Sequence, residues 1–226
     1  MSNDKIIIYQ LLPRLYGNRN TTRKENGSIS DNGCGKFNDL TASVLKSIWH
    51  KGATHVWFTG VIRHATKTDY SAHGIPVNHP AIVKGNAGSP YAITDYYDVD
   101  PDLAEDVDSR MAEFEALVAR AHKSRLGVII DFVPNHVARQ YVSLCKPKGV
   151  RDLGADDNQS QGFNPQNNFY YCPGCSFEPY LDLYAGTAEP YHEEPAKATG
   201  NDHFDHKPGQ NDWYETVKLN YGIDYY

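Results

Sequence analysis

The stretch Val128-Ile129-Ile130-Asp131-Phe132-Val133 constrains the fold more than any other part of the chain. It is apolar on both faces apart from one aspartate. Two shorter runs, Ile6-Ile7-Ile8-Tyr9 and His55-Val56-Trp57-Phe58, share its β-branched and aromatic character. Strands without a polar face belong to parallel sheets covered on both sides. Helical patterns lie between them. Val44, Leu45, Ile48 and Trp49 form one stripe, with Thr41 placed as N-cap and Gly52 just past the end. A second helix is expected from Ser109 to Leu126, with Met111, Phe114, Leu117, Val118 and Ala121 on its apolar face and Gly127 ending it. The order β-α-β-α-β predicts right-handed crossovers and an α/β fold built on a parallel sheet.

The connections are unequal. The helix-to-strand turn Gly52-Ala53-Thr54 is short, whereas long segments follow the first and second strands, the second over residues 62–107. Loops after strand C-termini build the active site of a β/α barrel. A doubly wound sheet places its ligand on the same edge, so the loop lengths leave both architectures open. Beyond His136 the alternation stops, and residues 137–226 hold ten of the sixteen tyrosines. This divides the chain into 1–136 and 137–226. A net charge of −6 argues against nucleic acid or an anionic membrane surface as partner. The start, Met1 to Lys5, runs straight into the first strand pattern without a cleavage site, so the sequence given predicts no signal peptide and leaves the compartment open. Glu105-Asp106 and Glu193-Glu194 read as solvated surface.

The segment Asp131-Phe132-Val133-Pro134-Asn135-His136 carries the chemistry. A carboxylate inside an apolar strand needs a cation or several donors, because burying it unpaired is costly. Against that stands the plain reading of a structural aspartate and a polar loop. Cys172-Pro173-Gly174-Cys175 is half of a zinc pattern, with His203 and His206 as the other half. The long gap and the close histidine spacing favour a simple turn with two free thiols.

Asp131 to His136 resembles the first conserved region of the alpha-amylase family, glycoside hydrolase family 13. Further segments resemble that family in the same order: Tyr9-Gln10-Leu11-Leu12-Pro13-Arg14; Gly35 to Leu40 followed by Gly52 to Phe58; Tyr91 to Pro101; and Ala121 to Gly127. The resemblance implies a partial (β/α)8 TIM barrel of three strands, with an irregular domain inserted after the third strand over residues 137–226. It implies retaining hydrolysis of α-glucosidic bonds in starch-like substrates or maltooligosaccharides. By position, Tyr91 would stack on a sugar ring, His136 would hydrogen-bond that sugar, and Asp131 would orient an arginine from a later strand. Asn135 would be a calcium ligand.

Two departures stand out. Pro90 precedes Tyr91 where the family usually has glycine. In Thr216-Val217-Lys218-Leu219-Asn220, Lys218 replaces the aspartate of calcium-binding members, which sets a cation against the calcium assignment. Nothing after Asn220 resembles the motifs of the two catalytic carboxylates. The expectation is therefore a fragment, inactive alone, whose remaining barrel comes from sequence beyond Tyr226. The alternative is a non-catalytic amylase-like module that binds glycan or another chain.

Overall fold

The computed structural model describes residues 5–226; Met1 to Asp4, where the sequence predicts direct entry into the first strand, lie outside the described residues. In chain order the elements are β1 (Ile8–Leu11), α1 (Pro13–Tyr16), α2 (Ile29–Asn32), α3 (Ala42–His50), β2 (His55–Phe58), β3 (Ile62–His64), β4 (Ile93–Val99), α4 (Arg110–Lys123), β5 (Gly127–Ile130), β6 (His136–Ala138), β7 (Tyr171–Cys172), β8 (Ala196–Lys197) and β9 (Thr216–Lys218). They form two compact units. Of the described residues, the first comprises 5–63, 70–75 and 98–132, and the second 64–69, 76–97 and 133–226.

The first unit is an α/β structure on a parallel sheet ordered β1-β2-β5. Ile8 pairs with His55 and His55 with Gly127, so the strands run in register from their first residues. Thr41 caps α3 as expected, its side chain accepting from the Val44 amide, and Leu45 and Ile48 are buried. Helix α4 packs on α3, on β5 and on the turn at Phe37–Asp39, with the Phe37 and Phe114 rings 5.4 Å apart. Arg120 completes that contact by donating to the Phe37 carbonyl at 2.8 Å.

Three expectations shift. Strand β5 stops at Ile130, so Asp131 lies just past its end, where its carboxylate takes up the Trp57 indole and the Gly60 amide. The outer strands are also less covered than their composition implies: Ile8 is 48% exposed and Ile130 41%. Each is an edge of this three-stranded sheet, with a neighbour on one side only. Finally, Gly127 does not end α4. Ser124 caps the helix, Arg125 takes the left-handed turn at φ 64°, and Gly127 opens β5. A Cβ there would stand 2.3 Å from the His55 ring.

In the second unit β6 pairs antiparallel with β9, and β7 with β8, so the tyrosine-rich segment is tied by short ladders. One apolar cluster gathers Val137, Phe169, Tyr171 and Val217; another gathers Ala81, Ile82, Phe177, Tyr191 and Ala196. Glu193 is not solvated surface but 7% exposed. Its carboxylate accepts from Arg139 at 2.6 Å and from the Tyr191 hydroxyl at 2.8 Å, which supplies the partners that burial demands. No described helix is long and apolar enough to cross a membrane.

Candidate functional site

Tyr91 and His136 line one cavity of about 170 Å³ in the second unit, together with Lys84, Ser89, Trp213, Glu215 and Thr216. Tyr91 sits on a turn closed by the Ala92 amide donating to the Ser89 carbonyl at 3.0 Å, with Pro90 between them. The departure at Pro90 therefore falls inside a tight turn, a position that suits its fixed φ. Tyr91 is 41% exposed.

His136 begins β6 and is 5% exposed. Gly200 makes this possible, because a Cβ at that position would lie 2.8 Å from the His136 Cβ. Burial, aided by the charge of Lys218, lowers the His136 pKa against a hydrogen bond with the Tyr91 backbone that raises it, so the ring is neutral near pH 7. Its Nδ1 is buried without a partner. The Trp213 ring meets it edge-on, with centroids 5.2 Å apart. Trp213 is fixed by its amide, which donates to Asn201 Oδ1 at 3.0 Å. Thr216 links the walls by accepting from the Gly200 amide at 3.3 Å and donating to the Trp213 carbonyl at 3.0 Å. Glu215 is buried, and Lys84 reaches one of its oxygens at 3.0 Å. The result is a cavity lined by two aromatic residues, a neutral imidazole and an ion pair. Such a surface suits a ring with one apolar face and hydroxyls at its edge.

Asp131 belongs to the first unit. Its carboxylate accepts from the Trp57 indole N–H at 2.6 Å and from the Gly60 amide at 3.0 Å. Two donors thus meet the need for partners that the sequence raises. In the same unit Arg14 pairs with Asp102 and, at 3.3 Å, with Asp100, and the Tyr70 hydroxyl donates to Asp102 at 2.5 Å.

Asn135 is exposed, and its carbonyl accepts from the Leu219 amide at 3.0 Å. On the facing strand Lys218 is the register partner of His136, and its ammonium pairs with Asp202. An ammonium one residue along the ladder is a poor neighbour for a divalent cation, which takes six to eight oxygen ligands. These surroundings do not fit calcium. The Cys172–Cys175 segment is a turn, with the Cys175 amide donating to the Cys172 carbonyl at 3.1 Å. Both thiols are free. Among the described residues they form no group with His203 or His206 at metal-binding distances.

Lys84, Trp213 and Glu215 escaped the sequence reading. Trp213-Tyr214-Glu215 directly precedes the segment Thr216–Asn220 singled out there, and extending that segment backward by three residues would have found two of them. Lys84 comes from a remote loop and carries no local signal.

No protein-family model matches the chain. It is 24% identical over 196 residues to Maltase 1 of Drosophila virilis, covering 83% of this chain and 24% of that protein. An alpha-amylase from Lactobacillus plantarum is 26% identical, with a TM-score of 0.42 over 61% of this chain and 24% of the other. The trehalose-6-phosphate hydrolase of Bacillus licheniformis is 19% identical, with a TM-score of 0.49 over 97% of this chain and 30% of its own. These neighbours are enzymes of the alpha-amylase family. The chain spans only about a quarter to a third of the length of the alpha-amylase-type proteins it matches.

Proposed function

We propose that this chain is the opening part of an alpha-amylase-type glycoside hydrolase that cleaves α-glucosidic bonds of starch-like or maltooligosaccharide substrates with retention. Residues 1–136 would form the first three strands of the barrel, and 137–226 the segment inserted after the third. The observation that carries the reading is the convergence of Tyr91 and His136, separated by 45 positions of sequence, on one cavity beside Trp213. Tyr91 offers its face to the apolar side of a pyranose. Neutral His136 offers Nδ1 to a ring hydroxyl, and Asp131 orients an arginine from a later strand. The acid and the nucleophile, about 5–5.5 Å apart in retaining enzymes, lie in this reading on chain beyond the 226 residues. The four ordered motifs preceding Asp131–His136 and the match to a maltase over most of the chain support it.

The test uses the full 226-residue chain. Maltotriose is expected to quench the emission of Trp213, identified by its absence in Trp213→Phe, and the chain is expected to release no reducing sugar. Absence of any sugar response overturns the binding assignment. Reducing-sugar release by the pure chain overturns the placement of the carboxylates elsewhere.

A further inference from the structure

Glu215 is the one buried acid lining the Tyr91–His136 cavity. One of its oxygens takes the Lys84 ammonium at 3.0 Å, while the other, Oε2, is buried and has no hydrogen-bond partner. The pair is lopsided, because the Lys84 side chain is 42% exposed and that of Glu215 only 5%. Lys84 also lies over the Tyr214 ring, 5.4 Å from its centroid, so the ammonium is held beside the carboxylate. A buried carboxylate oxygen left unsatisfied costs free energy until a donor arrives. His136 lines the same cavity, and its Nδ1 is also buried and unpartnered. Two unsatisfied polar atoms within one cavity call for a ligand with hydroxyl groups.

Charge narrows the choice. Lys84 is already engaged by Glu215, and His136 is neutral near pH 7. No uncommitted cation therefore lines the cavity among the described residues, and the unsatisfied atom that can only accept carries negative charge. A phosphate or carboxylate on the ligand would meet Oε2 directly, and like charges brought together in a poorly hydrated space repel. The cavity of about 170 Å³ falls below the roughly 300–1,000 Å³ of pockets for drug-sized ligands. It has room for one ring-sized group.

We propose that Glu215 is a specificity-determining residue that accepts a hydroxyl of a neutral sugar and turns away sugars carrying phosphate. This rests on the sugar-binding reading of the same cavity and goes beyond it by naming which sugars the cavity refuses. Lys84 acts through Glu215 as a positioning residue that fixes the carboxylate with Oε2 facing the ligand.

The test compares maltose with maltose 6′-phosphate by titration calorimetry on the full chain. Maltose is expected to bind at least about tenfold more tightly, the span of one charge-assisted hydrogen bond. Glu215→Gln keeps the shape and removes the charge. It is expected to weaken maltose about tenfold and to strengthen the phosphorylated sugar, collapsing or inverting the ratio. Lys84→Met keeps the charged acceptor but releases its orientation, and is expected to weaken maltose while the phosphorylated sugar stays refused. A purely structural ion pair would instead make both variants weaken both sugars by the same factor, which overturns the proposal. So does a ratio unchanged in Glu215→Gln. Binding of both sugars with equal affinity to the unaltered chain sinks this inference alone, whereas binding of neither sinks it together with the sugar-binding reading.

Discussion

Replacing Arg139 by methionine tests the most buried ion pair of the second unit. The Arg139 side chain is fully buried and that of Glu193 is 5% exposed, with Nη1 2.6 Å from Oε1. The guanidinium also donates to the Tyr214 carbonyl and lies 3.8 Å from the centre of the Phe177 ring. Methionine retains the stem and the packing but strands Glu193. Breaking one side of a buried pair typically costs about 3–5 kcal/mol. Lys197 remains 3.3 Å from the other carboxylate oxygen, which places the expected loss near the lower end, about 3 kcal/mol. Urea unfolding followed by circular dichroism at pH 7 measures it.

The pH dependence gives a second handle. Burial pushes the Glu193 carboxyl up, but Arg139, Lys197 and the Tyr191 hydroxyl together hold it below its ordinary 4.5. A carboxylate depressed in the folded state contributes stability above its unfolded pKa, and this is lost as pH falls through the folded value. With Arg139 gone, burial dominates and the carboxyl rises, so protonation then favours the folded variant. The stability gap between the two proteins is therefore expected to narrow as pH falls from 7 toward 4. A loss below about 1 kcal/mol, the range of exposed pairs, or a gap that stays constant with pH, would refute the reasoning. The double variant with Glu193→Gln should recover part of the loss, because it removes the stranded charge.

Three further outcomes follow from the geometry. Gly127→Ala drives a methyl group into the His55 ring and should cost about 1–3 kcal/mol, a loss largely cancelled in a His55→Ala background when melting temperatures are compared. Asp131→Ala removes the acceptor shared by the Trp57 indole and the Gly60 amide; a loss of about 1–3 kcal/mol and a shift in Trp57 emission are expected, and unchanged emission would count against that contact. Calcium and chelator should leave the melting temperature of the chain equal within error, because Lys218 and its partner Asp202 already supply a fixed cation beside the strand that follows Asn135.

What the sequence reveals is what repeats or caps locally. Helix α3 is legible because Thr41, the stripe through Leu45 and Ile48, and Gly52 all lie within a dozen residues. The parallel pairing of β1, β2 and β5 is legible because their apolar composition has few other uses. Strand ends are not, since Asp131 leaves the ladder for side-chain reasons: its partners Trp57 and Gly60 lie more than 70 positions away. The same holds for Glu193, which looks like half of an acidic surface pair until Arg139, 54 positions earlier, neutralises it. Tyr91 and His136 could be singled out through motifs. Lys84 and Glu215 acquire meaning only from each other.

The pairing of β2 bears on how the chain is made. Its N-terminal end is tied to residues 47 positions upstream, where Thr54 bonds the Ile7 amide, and its other end to Asp131, 74 positions downstream of Trp57. A ribosome delivers β1 and β2 well before β5, so the central strand emerges with one flank still unpaired and waits through the synthesis of the whole intervening loop and α4. At translation speeds of about 5–20 residues per second, that wait lasts several seconds. Distant contacts of this kind place folding in the slow, topology-limited regime. Holding the nascent β1–β2 pair out of aggregation until Ile130 emerges is therefore a demand that the sheet order itself imposes on the cell.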